Sequence, residues 1–269
     1  MQPQSAVTES ADSSSRLEGL WTFEEGGGDT ARDSSGNGQT LSAHGDPVWV
    51  GGGTFGGAIA LDGASQWLTT AGPILRTTES YSVAAWVRFD TGTMDPGLRL
   101  PRGTYAVTAV SQIGPSSEEP THSPFYLGAR AIKQTMPDGT SPAALRWCLT
   151  VAPVDGSMTG VLEWQHATSA KPIEVSVFDE WVLLVGVCDT ATRTTQLYVP
   201  GTDDGGTATL PEEWPFWQAE GGLQVGQAFW LGNPVDRWPG SVGPVRAYSG
   251  VLTADDAVSL YEQGATAER

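Results

Sequence analysis

Paired carboxylates are the residues of this sequence that could most directly carry out hydrolysis. Two carboxyl groups act on one glycosidic bond only if both face the same groove, which on a β-strand requires a separation of two or four residues. The chain contains no Glu-x-Asp-x-Glu pattern. Its acidic residues instead form adjacent pairs, whose side chains would point to opposite faces of a strand, at Glu118-Glu119, Asp179-Glu180 and Glu212-Glu213. We interpret these pairs as solvated surface carboxylates.

The three histidines also give no sign of a catalytic centre. His44, His122 and His166 fall in predicted loops or at strand ends, and none lies beside a serine or cysteine in a Gly-x-Ser-x-Gly setting. The glycine runs at 26–28 and 51–53 lack a following helix and a Lys-Ser/Thr pair, so they form turns rather than phosphate-binding loops. The sequence therefore predicts no catalytic residue and a protein that is not an enzyme.

Aromatic side chains are the best remaining signal for a ligand. Sugar rings present apolar C–H faces, and flat aromatic rings bind such faces at a low cost in conformational entropy. Trp214 and Trp217 lie in a proline-containing segment between predicted strands, and Trp230 lies in the next loop. We predict that these three residues bind a glycan together. The alternative is that each of them caps the hydrophobic core, as most tryptophans of sandwich proteins do.

The two cysteines, Cys148 and Cys188, allow one disulfide. Neither has a Cys-x-x-Cys or Cys/His spacing, which argues against a metal or redox centre. Both lie on predicted strands that are close in chain order, so we predict a disulfide across neighbouring antiparallel strands, which would stabilise the fold by about 4 kcal/mol. Such a bond implies an oxidising compartment, whereas in a reducing one the two residues would be buried thiols.

The charge balance excludes several classes of partner. Fourteen Lys and Arg residues against 31 Asp and Glu residues give a formal net charge of −17, which repels nucleic acid and anionic lipid surfaces. No run reaches the ~18 consecutive apolar residues of a membrane-spanning helix, so we predict no membrane insertion. Residues 1–16 are polar and acidic and lack the apolar region of a signal peptide. We expect them to be disordered.

Short strands with alternating side chains must position any binding residue. From Tyr81 to Phe89 the odd-numbered residues share one face and the even-numbered residues share the other. Similar segments, separated by turn residues, recur as far as Tyr248. Much of 91–124 is rich in proline, and we interpret it as a long loop around one strand at Tyr105. The pattern predicts an all-β fold of two stacked antiparallel sheets.

A short helix follows the last strand. Thr253 and Asp256 have the spacing of a capping box, with Asp in place of the usual Glu. Gly264 has the position of the glycine that ends a helix, and the apolar side of this helix should pack on the edge of the sandwich. No repeat or change of composition divides the chain, so we predict one domain over residues 17–263 and a tail at 264–269.

The order of several segments resembles that of the laminin-G-like, concanavalin A-like jelly rolls of bacterial secreted proteins. These segments span nearly the whole predicted domain and are Leu20 to Glu25, Asp33 to Gly38, Phe55 to Gly63, Tyr81 to Val87, Trp181 to Val187, Leu197 to Val199 and Trp238 to Tyr248. The resemblance implies a two-sheet jelly-roll sandwich with a short C-terminal helix. It also implies packing roles for four tryptophans, namely Trp21, Trp86, Trp181 and Trp238.

In this family the loop that matches Asp33 to Gly38 often helps to hold a calcium ion, together with an acidic residue of the last strand. The resemblance therefore implies calcium as a cofactor, with Asp33 and Asn37 among its ligands, since hard cations bind carboxylate and carbonyl oxygens. The last strand departs from the family, because Gly243 and Pro244 stand where acidic residues are usual. The alternative is a loop held by Asx-turn hydrogen bonds alone.

Domains of this family occur in lectins, adhesins, accessory modules of glycoside hydrolases and surface proteins, so the fold does not fix the ligand. Together with the lack of a catalytic constellation, the resemblance favours an extracellular, non-catalytic module, secreted or on the cell surface, that binds carbohydrate or mediates adhesion. The alternative is a protein–protein interaction domain of a larger secreted or surface assembly. The expected partner is thus a glycan or a secreted or surface protein.

Overall fold

Two antiparallel β-sheets pack face to face in the computed structural model of the chain, which describes residues 15–51, 55–92, 106–114, 121–133, 143–154, 162–202 and 204–265. Within these ranges lie eighteen strands, one turn of 3-10 helix at Val175–Val177 and one α-helix, α1 (Ala254–Ala265). The strands are β1 (Arg16–Trp21), β2 (Thr30–Ala31), β3 (Leu41–His44), β4 (Val48–Gly51), β5 (Gly57–Asp62), β6 (Trp67–Thr70), β7 (Tyr81–Phe89), β8 (Ala106–Gln112), β9 (Phe125–Lys133), β10 (Ala143–Val151), β11 (Gln165–Thr168), β12 (Val182–Asp189), β13 (Thr194–Val199), β14 (Asp204–Thr209), β15 (Leu223–Val225), β16 (Ala228–Trp230), β17 (Asn233–Val235) and β18 (Pro239–Ser249). The predicted all-β sandwich with a short C-terminal helix is confirmed.

The predicted ends of the domain fall largely outside the described residues. Of the segment 1–16, the structure describes residues 15 and 16, and Arg16 already belongs to β1. Of the tail 264–269, residues 264 and 265 belong to α1. Tyr105 and the pair Glu118-Glu119 also lie outside the described residues. The domain boundaries and the disorder of the N-terminal segment therefore stay predictions.

The strands divide into two eight-stranded sheets and one hairpin. Sheet A has the order β14-β13-β12-β7-β18-β5-β4, and β1 also pairs with β18. Sheet B has the order β11-β10-β9-β8-β15-β6-β3-β2, while β16 and β17 pair only with each other. Strands that are close in the chain are often in different sheets, as β10 of sheet B and β12 of sheet A are. Chain order is therefore a poor guide to which strands are neighbours.

The alternation predicted for β7 is confirmed, and both of its faces are buried. Its odd-numbered residues lie in the core between the sheets, whereas Ala84 and Trp86 lie on the outer face of sheet A. The neighbouring β12 repeats this arrangement, with Leu184 in the inner core and Leu183 outside. A strand that is covered on both faces reads as a nearly continuous apolar run, which explains the sequence of β12.

A stack of three aromatic rings joins the two sheets. Phe89 of β7 lies between Trp147 of β10, at 5.3 Å between ring centroids, and Trp238, at 4.7 Å. The interplanar angles are 7° and 16°, so the rings are nearly parallel. The packing roles predicted for Trp21, Trp86 and Trp238 are confirmed by their burial. Trp181 is half-buried beside the outer face of sheet A, with the Arg88 guanidinium 5.0 Å from its ring.

The last strand, β18, contains an irregularity at the two residues where the sequence departs from the family. Its register against β7 shifts between Val242 and Val245. Pro244 has no N–H to donate to a ladder, and bulges are the positions where a strand tolerates proline. A Cβ atom at Gly243 would lie 3.0 Å from the Phe55 ring and 3.1 Å from the Trp86 Cβ. Packing and strand bending thus account for these two residues.

Helix α1 covers the outer face of sheet A. The predicted capping box is confirmed: the Thr253 N–H donates to Asp256 Oδ2 at 2.8 Å, and the Asp256 N–H donates to Thr253 Oγ1 at 3.2 Å. The hydrogen bonds that the Thr253 N–H and hydroxyl donate to Asp256 Oδ2 lower the pKa of this carboxyl. Leu252, Ala257 and Leu260 pack with β7 and β12, so the helix docks on the face of the sheet and not on its edge as predicted. In the described part of the chain, no helix has the length and apolarity needed to cross a membrane.

Gly264 serves this docking, and its predicted role as the glycine that ends the helix is wrong. It lies inside α1 and is not among the glycines with positive φ. A Cβ atom built at Gly264 would lie 2.6 to 2.9 Å from atoms of the Trp86 indole. The missing side chain therefore allows the last turn of α1 to contact the ring directly.

The predicted disulfide is also wrong. Cys148 lies on β10 of sheet B and Cys188 on β12 of sheet A, and both are buried free thiols. Trp147 and Leu149 point into the core between the sheets, so Cys148 points to the outer face of sheet B, where its sulfur lies 3.2 Å from Thr150 Oγ1. Cys188 lies in the core between the sheets. Sheet B therefore separates the two side chains, and a bond between them would need backbone movement.

We expect thiol titration of the unreduced, denatured protein to find two reactive thiols. Before denaturation neither should react readily, because burial raises the pKa of Cys148 to about 11 and that of Cys188 to about 12. Finding no free thiol in the denatured, unreduced protein would contradict the observed placement of the two strands.

Replacing Gly264 by alanine should destabilise the protein. Alanine favours a helix by about 1 kcal/mol over glycine, but its Cβ would overlap the buried Trp86 ring, and overpacking of this kind costs about 1–3 kcal/mol. We expect a net loss of about 1 kcal/mol in the free energy of unfolding, measured by urea denaturation. Glu262→Ala, at an exposed position of the same helix, is the control. Stabilisation by Gly264→Ala would show that the contact with Trp86 is loose.

Candidate functional site

The hairpin formed by β16 and β17 is fixed to one end of the sandwich by backbone hydrogen bonds. The Ser123 N–H donates to the Phe229 carbonyl at 2.9 Å, and the Phe229 N–H donates to Ser123 Oγ at 3.1 Å. The Tyr126 hydroxyl donates to the same carbonyl at 2.6 Å. Ser123 precedes β9 and Tyr126 belongs to it. The hairpin is thus held against the outer face of sheet B, although it adds no strand to that sheet.

The turn of this hairpin is fixed as well. The Gly232 N–H donates to the Thr121 carbonyl at 2.8 Å, and the Leu231 N–H donates to His122 Nδ1 at 3.2 Å. Leu231 and Gly232 both have positive φ, of 50° and 74°. The left-handed region costs a non-glycine residue roughly 1–2 kcal/mol. The surrounding hydrogen bonds offset this cost and hold the turn next to Trp230 in one conformation.

Trp230 presents its ring to solvent from this fixed hairpin. Trp230 is 48% exposed, which is more than any other described Trp, Tyr or Phe residue. Its ring centroid lies 6.4 Å from that of the buried His122. Trp164, which immediately precedes β11, lies 5.4 Å from His122 and 5.3 Å from Tyr126 between ring centroids. The four rings therefore form a continuous group at this end of the molecule.

Trp217 joins the same group from a different loop. It packs, together with Trp164, against a small buried cluster that contains Tyr126 and Ala152. Its indole N–H donates to the Ala152 carbonyl at 3.0 Å. We call His122, Tyr126, Trp164, Trp217 and Trp230 the outer aromatic cluster. Two of the three tryptophans predicted to bind a ligand thus lie in one cluster.

Trp214 does not belong to it, and its predicted exposure is wrong. It is 5% exposed and lies in the core between the sheets. The Arg193 guanidinium donates to the carbonyls of Pro211 and Trp214, at 2.6 and 3.1 Å, and so folds this segment back against the sandwich. No local pattern in the sequence indicates this contact between Arg193 and Trp214. Trp164 and Tyr126 were missed, although the alternation of β9 could have identified Tyr126 as outward-facing.

Polar side chains continue the outer face of sheet B beyond the aromatic cluster. Arg130 of β9 lies 3.9 Å from the Asp236 carboxylate, between Nη2 and Oδ2. His166 of β11 shares a hydrogen bond of 2.9 Å with Thr150, between Nδ1 and Oγ1. Burial, with Arg130 nearby, lowers the pKa of His166 to about 4. Burial also raises the pKa of Asp236, although the charge of Arg130 opposes this.

At neutral pH the His166 imidazole and the Cys148 thiol are therefore uncharged. A general base is most effective when its pKa lies near the working pH, and a thiol acts as a nucleophile mainly in its ionised form. These two groups meet neither condition. Neither group is therefore poised for catalysis.

The loop predicted to bind calcium is held by its own hydrogen bonds. Asp33 Oδ1 accepts from the N–H groups of Leu20, at 3.0 Å, and Ser35, at 2.8 Å. Oδ2 accepts from Ser35 Oγ, at 2.8 Å, and from the Gln39 N–H, at 3.0 Å. Burial opposes ionisation of this carboxyl, but the four hydrogen bonds outweigh it and lower its pKa. Both carboxylate oxygens thus already have partners.

Asn37 is likewise engaged through its amide nitrogen, which donates to the carbonyls of Leu17 and Glu18 at 3.1 and 3.0 Å. Among the described residues, no group of three or more His, Cys, Asp or Glu side chains is placed to hold a metal ion. This arrangement of Asp33 and Asn37 does not fit a calcium shell. It fits the Asx-turn alternative, and calcium binding stays a prediction.

Comparison with known proteins supports the architecture. A model of the concanavalin A-like lectin/glucanases superfamily matches residues 148–257, which confirms the resemblance inferred from the sequence. Among curated protein sequences, none shows significant similarity to the chain.

Solved structures match over most of the chain. Domain 4 of AbnA, a GH43 extracellular arabinanase from Geobacillus stearothermophilus, in complex with arabinotriose, has a TM-score of 0.55 and 18% identity, over 91% of this chain and 98% of that one. The botulinum neurotoxin serotype C1 binding domain has a TM-score of 0.56 and 11% identity, over 92% of this chain and 52% of that one. The binding domain of Paraclostridial Mosquitocidal Protein 1 has a TM-score of 0.55 and 11% identity, with the same coverage. The chain thus spans about half the length of these two toxin domains, and at such identities the likeness shows the fold alone.

The depressed pKa of His166 predicts a loss of stability in acid. The unfolded histidine takes up a proton near its usual pKa of 6.5, whereas the folded one does so only near 4. Its contribution to stability is therefore lost as the pH falls from about 6.5 to 4, by up to about 3 kcal/mol. Asp236, whose pKa is raised, changes stability in the opposite direction over the acidic range.

The measurement that isolates His166 is the free energy of unfolding at pH 6.5 and at pH 4, for the wild type and for His166→Asn. Asparagine cannot titrate but can keep a hydrogen bond to Thr150. We expect the wild type to lose about 2–3 kcal/mol more than the variant between the two pH values. Parallel pH profiles would show that His166 is more open to water than the structure indicates.

Proposed function

We propose that this chain is an extracellular, non-catalytic module that binds carbohydrate at the outer aromatic cluster. The observation that carries the proposal is the 48% exposed Trp230 ring, which projects from a hairpin fixed by hydrogen bonds. A contiguous patch of apolar side chains that reaches the surface is a common mark of a binding site. A flat ring with few rotatable bonds suits the C–H face of a sugar.

The fixed hairpin supports binding in a second way. A ligand that must order a flexible loop loses affinity to the entropy of ordering, whereas a preformed surface avoids this loss. Trp164 and Trp217 are half-buried members of the same cluster as Trp230, and Arg130 and Asp236 supply hydrogen-bonding groups on the same sheet face. The arrangement provides apolar surface for sugar rings and polar groups for hydroxyls. Such shallow sites bind weakly, with dissociation constants of roughly micromolar to millimolar.

The comparisons are consistent with this proposal. Domain 4 of the arabinanase, of which this chain covers 98%, is described in complex with arabinotriose and comes from an extracellular enzyme. An extracellular location and a glycan partner for this chain are inferences from that likeness. The non-catalytic role is supported by the neutral state of Cys148 and His166 at neutral pH.

A protein-interaction domain is the second candidate, and strand β4 favours it. This strand forms the edge of sheet A, and its Val48 is 60% exposed. An edge strand offers unpaired backbone groups to an extended segment of another protein. Binding of this kind would not involve the outer aromatic cluster. Substitutions in β4 that block backbone pairing would abolish it.

Trp230→Ala should weaken retention of the protein on an immobilised glycan by at least tenfold while changing the free energy of unfolding by less than about 1 kcal/mol. The glycans are a panel that includes arabinan, and retention is measured by affinity electrophoresis with and without a chelator. Val258→Ala is the matched control, because Val258 is also 48% exposed but lies on α1. Equal retention of Trp230→Ala and the wild type would move the assignment to the protein-interaction candidate.

A further inference from the structure

A cleft of about 400 Å³ opens between β1 and the connection that joins β6 to β7. One wall is the start of β1, with Arg16 and Glu18, and the other is the connection between β6 and β7, with Ile74, Arg76 and Glu79. The volume lies within the ~300–1,000 Å³ that is typical of small-molecule sites. Neither the sequence patterns nor the outer aromatic cluster accounts for this cleft.

The charges of the cleft are balanced within each wall. Arg16 Nη2 lies 2.7 Å from Glu18 Oε1, and Arg76 Nη1 lies 3.4 Å from Glu79 Oε1. The two arginine side chains are 77% and 80% exposed. Exposed pairs of this kind contribute only about 0–1 kcal/mol to stability. Folding therefore does not explain why two opposite-charge pairs face one cleft.

One short segment separates the cleft from the aromatic cluster. Arg76 lines the cleft, and the next residue, Thr77, donates its hydroxyl to the Trp217 carbonyl at 2.7 Å. The same hydroxyl accepts the Ala219 N–H at 2.8 Å. Consecutive Cα atoms are about 3.8 Å apart. The backbone segment that carries Arg76 into the cleft therefore also holds the backbone of the Trp217 loop.

We propose that this cleft is a second subsite of the glycan-binding site and that it takes a neutral sugar unit. The proposal rests on the proposed carbohydrate-binding function. Sugar hydroxyls both donate and accept hydrogen bonds, and each wall offers guanidinium donors beside a carboxylate acceptor. Ile74 adds apolar surface for a C–H face. One wall can thus satisfy both roles of a hydroxyl.

The same charges disfavour an acidic sugar. A uronic acid carboxylate would have to displace Glu18 or Glu79 from its arginine, and it would approach a chain of formal net charge −17. Both arginines of the cleft, Arg16 and Arg76, are already paired with a glutamate. We therefore assign neutral glycans to this site and exclude polyuronates.

The test uses affinity electrophoresis of the full chain on three neutral polysaccharides, arabinan, xylan and β-glucan, and on polygalacturonate as the acidic counterpart. The double variant Arg76→Ala/Glu79→Ala leaves the net charge unchanged. On whichever neutral polymer retains the wild type, it should weaken retention by about five- to tenfold. The exchange variant Arg76→Glu/Glu79→Arg, which keeps one donor and one acceptor in the cleft, should recover most of the loss. Sodium chloride at high concentration should change wild-type retention by less than about twofold, because no net charge is neutralised.

Lys171→Ala/Glu174→Ala is the matched control, since it removes an exposed pair of opposite charges from a loop away from the cleft. Melting temperatures of all variants check that each is folded. If Arg76→Ala/Glu79→Ala is retained like the wild type while Trp230→Ala is no longer retained, the subsite is overturned and the proposed function stands. Preferential retention of the wild type on polygalacturonate would overturn the neutral-sugar assignment. Retention on none of the four polymers would count against both the function and the subsite.

Discussion

Burial of both faces of β7 and β12 is the constraint on which the rest of the structure depends. Their inner residues fill the core between the sheets, and their outer residues lie under α1. The helix can lie this close because Gly264 has no side chain to collide with Trp86. The middle of sheet A is thereby occupied, which leaves the outer face of sheet B and the margins of sheet A open. The outer aromatic cluster lies on the former, and the charged cleft lies beside β1 of sheet A and the connection between β6 and β7.

Local patterns predicted the parts of the fold that depend on local physics. The period of two over β7 gave the two faces of that strand correctly, and the Thr253 to Asp256 spacing gave the start of α1. The disulfide prediction failed because it used chain proximity as a substitute for spatial proximity. In a jelly roll, β10 and β12 enter different sheets. The alternation of β10, with Trp147 and Leu149 inward, already implied that Cys148 faces away from sheet A.

The candidate site was predictable only in part, for a related reason. Trp214 and Trp217 are three residues apart in the same loop, yet one is in the core and the other on the outer cluster. What separates them is the bond from the Arg193 guanidinium to the Trp214 carbonyl, which joins residues that no local pattern connects. Trp230 was identified because the sequence placed it in a loop between strands, whereas the structure places it on β16, which among the described strands pairs with β17 alone. Long-range contacts, which composition and periodicity do not encode, decide the rest.

The hairpin of β16 and β17 has a consequence for how this protein can change over evolutionary time. Since these strands pair only with each other, substitutions at their tip alter no ladder of either large sheet. The backbone bonds that fix the hairpin come from Thr121 and Ser123, outside it, so they persist when its side chains change. The side chains at the hairpin tip and the pairing of the two large sheets thus depend on largely separate residues. If the hairpin tip contacts the ligand as proposed, substitutions there can change what is bound while the pairing of both large sheets stays the same.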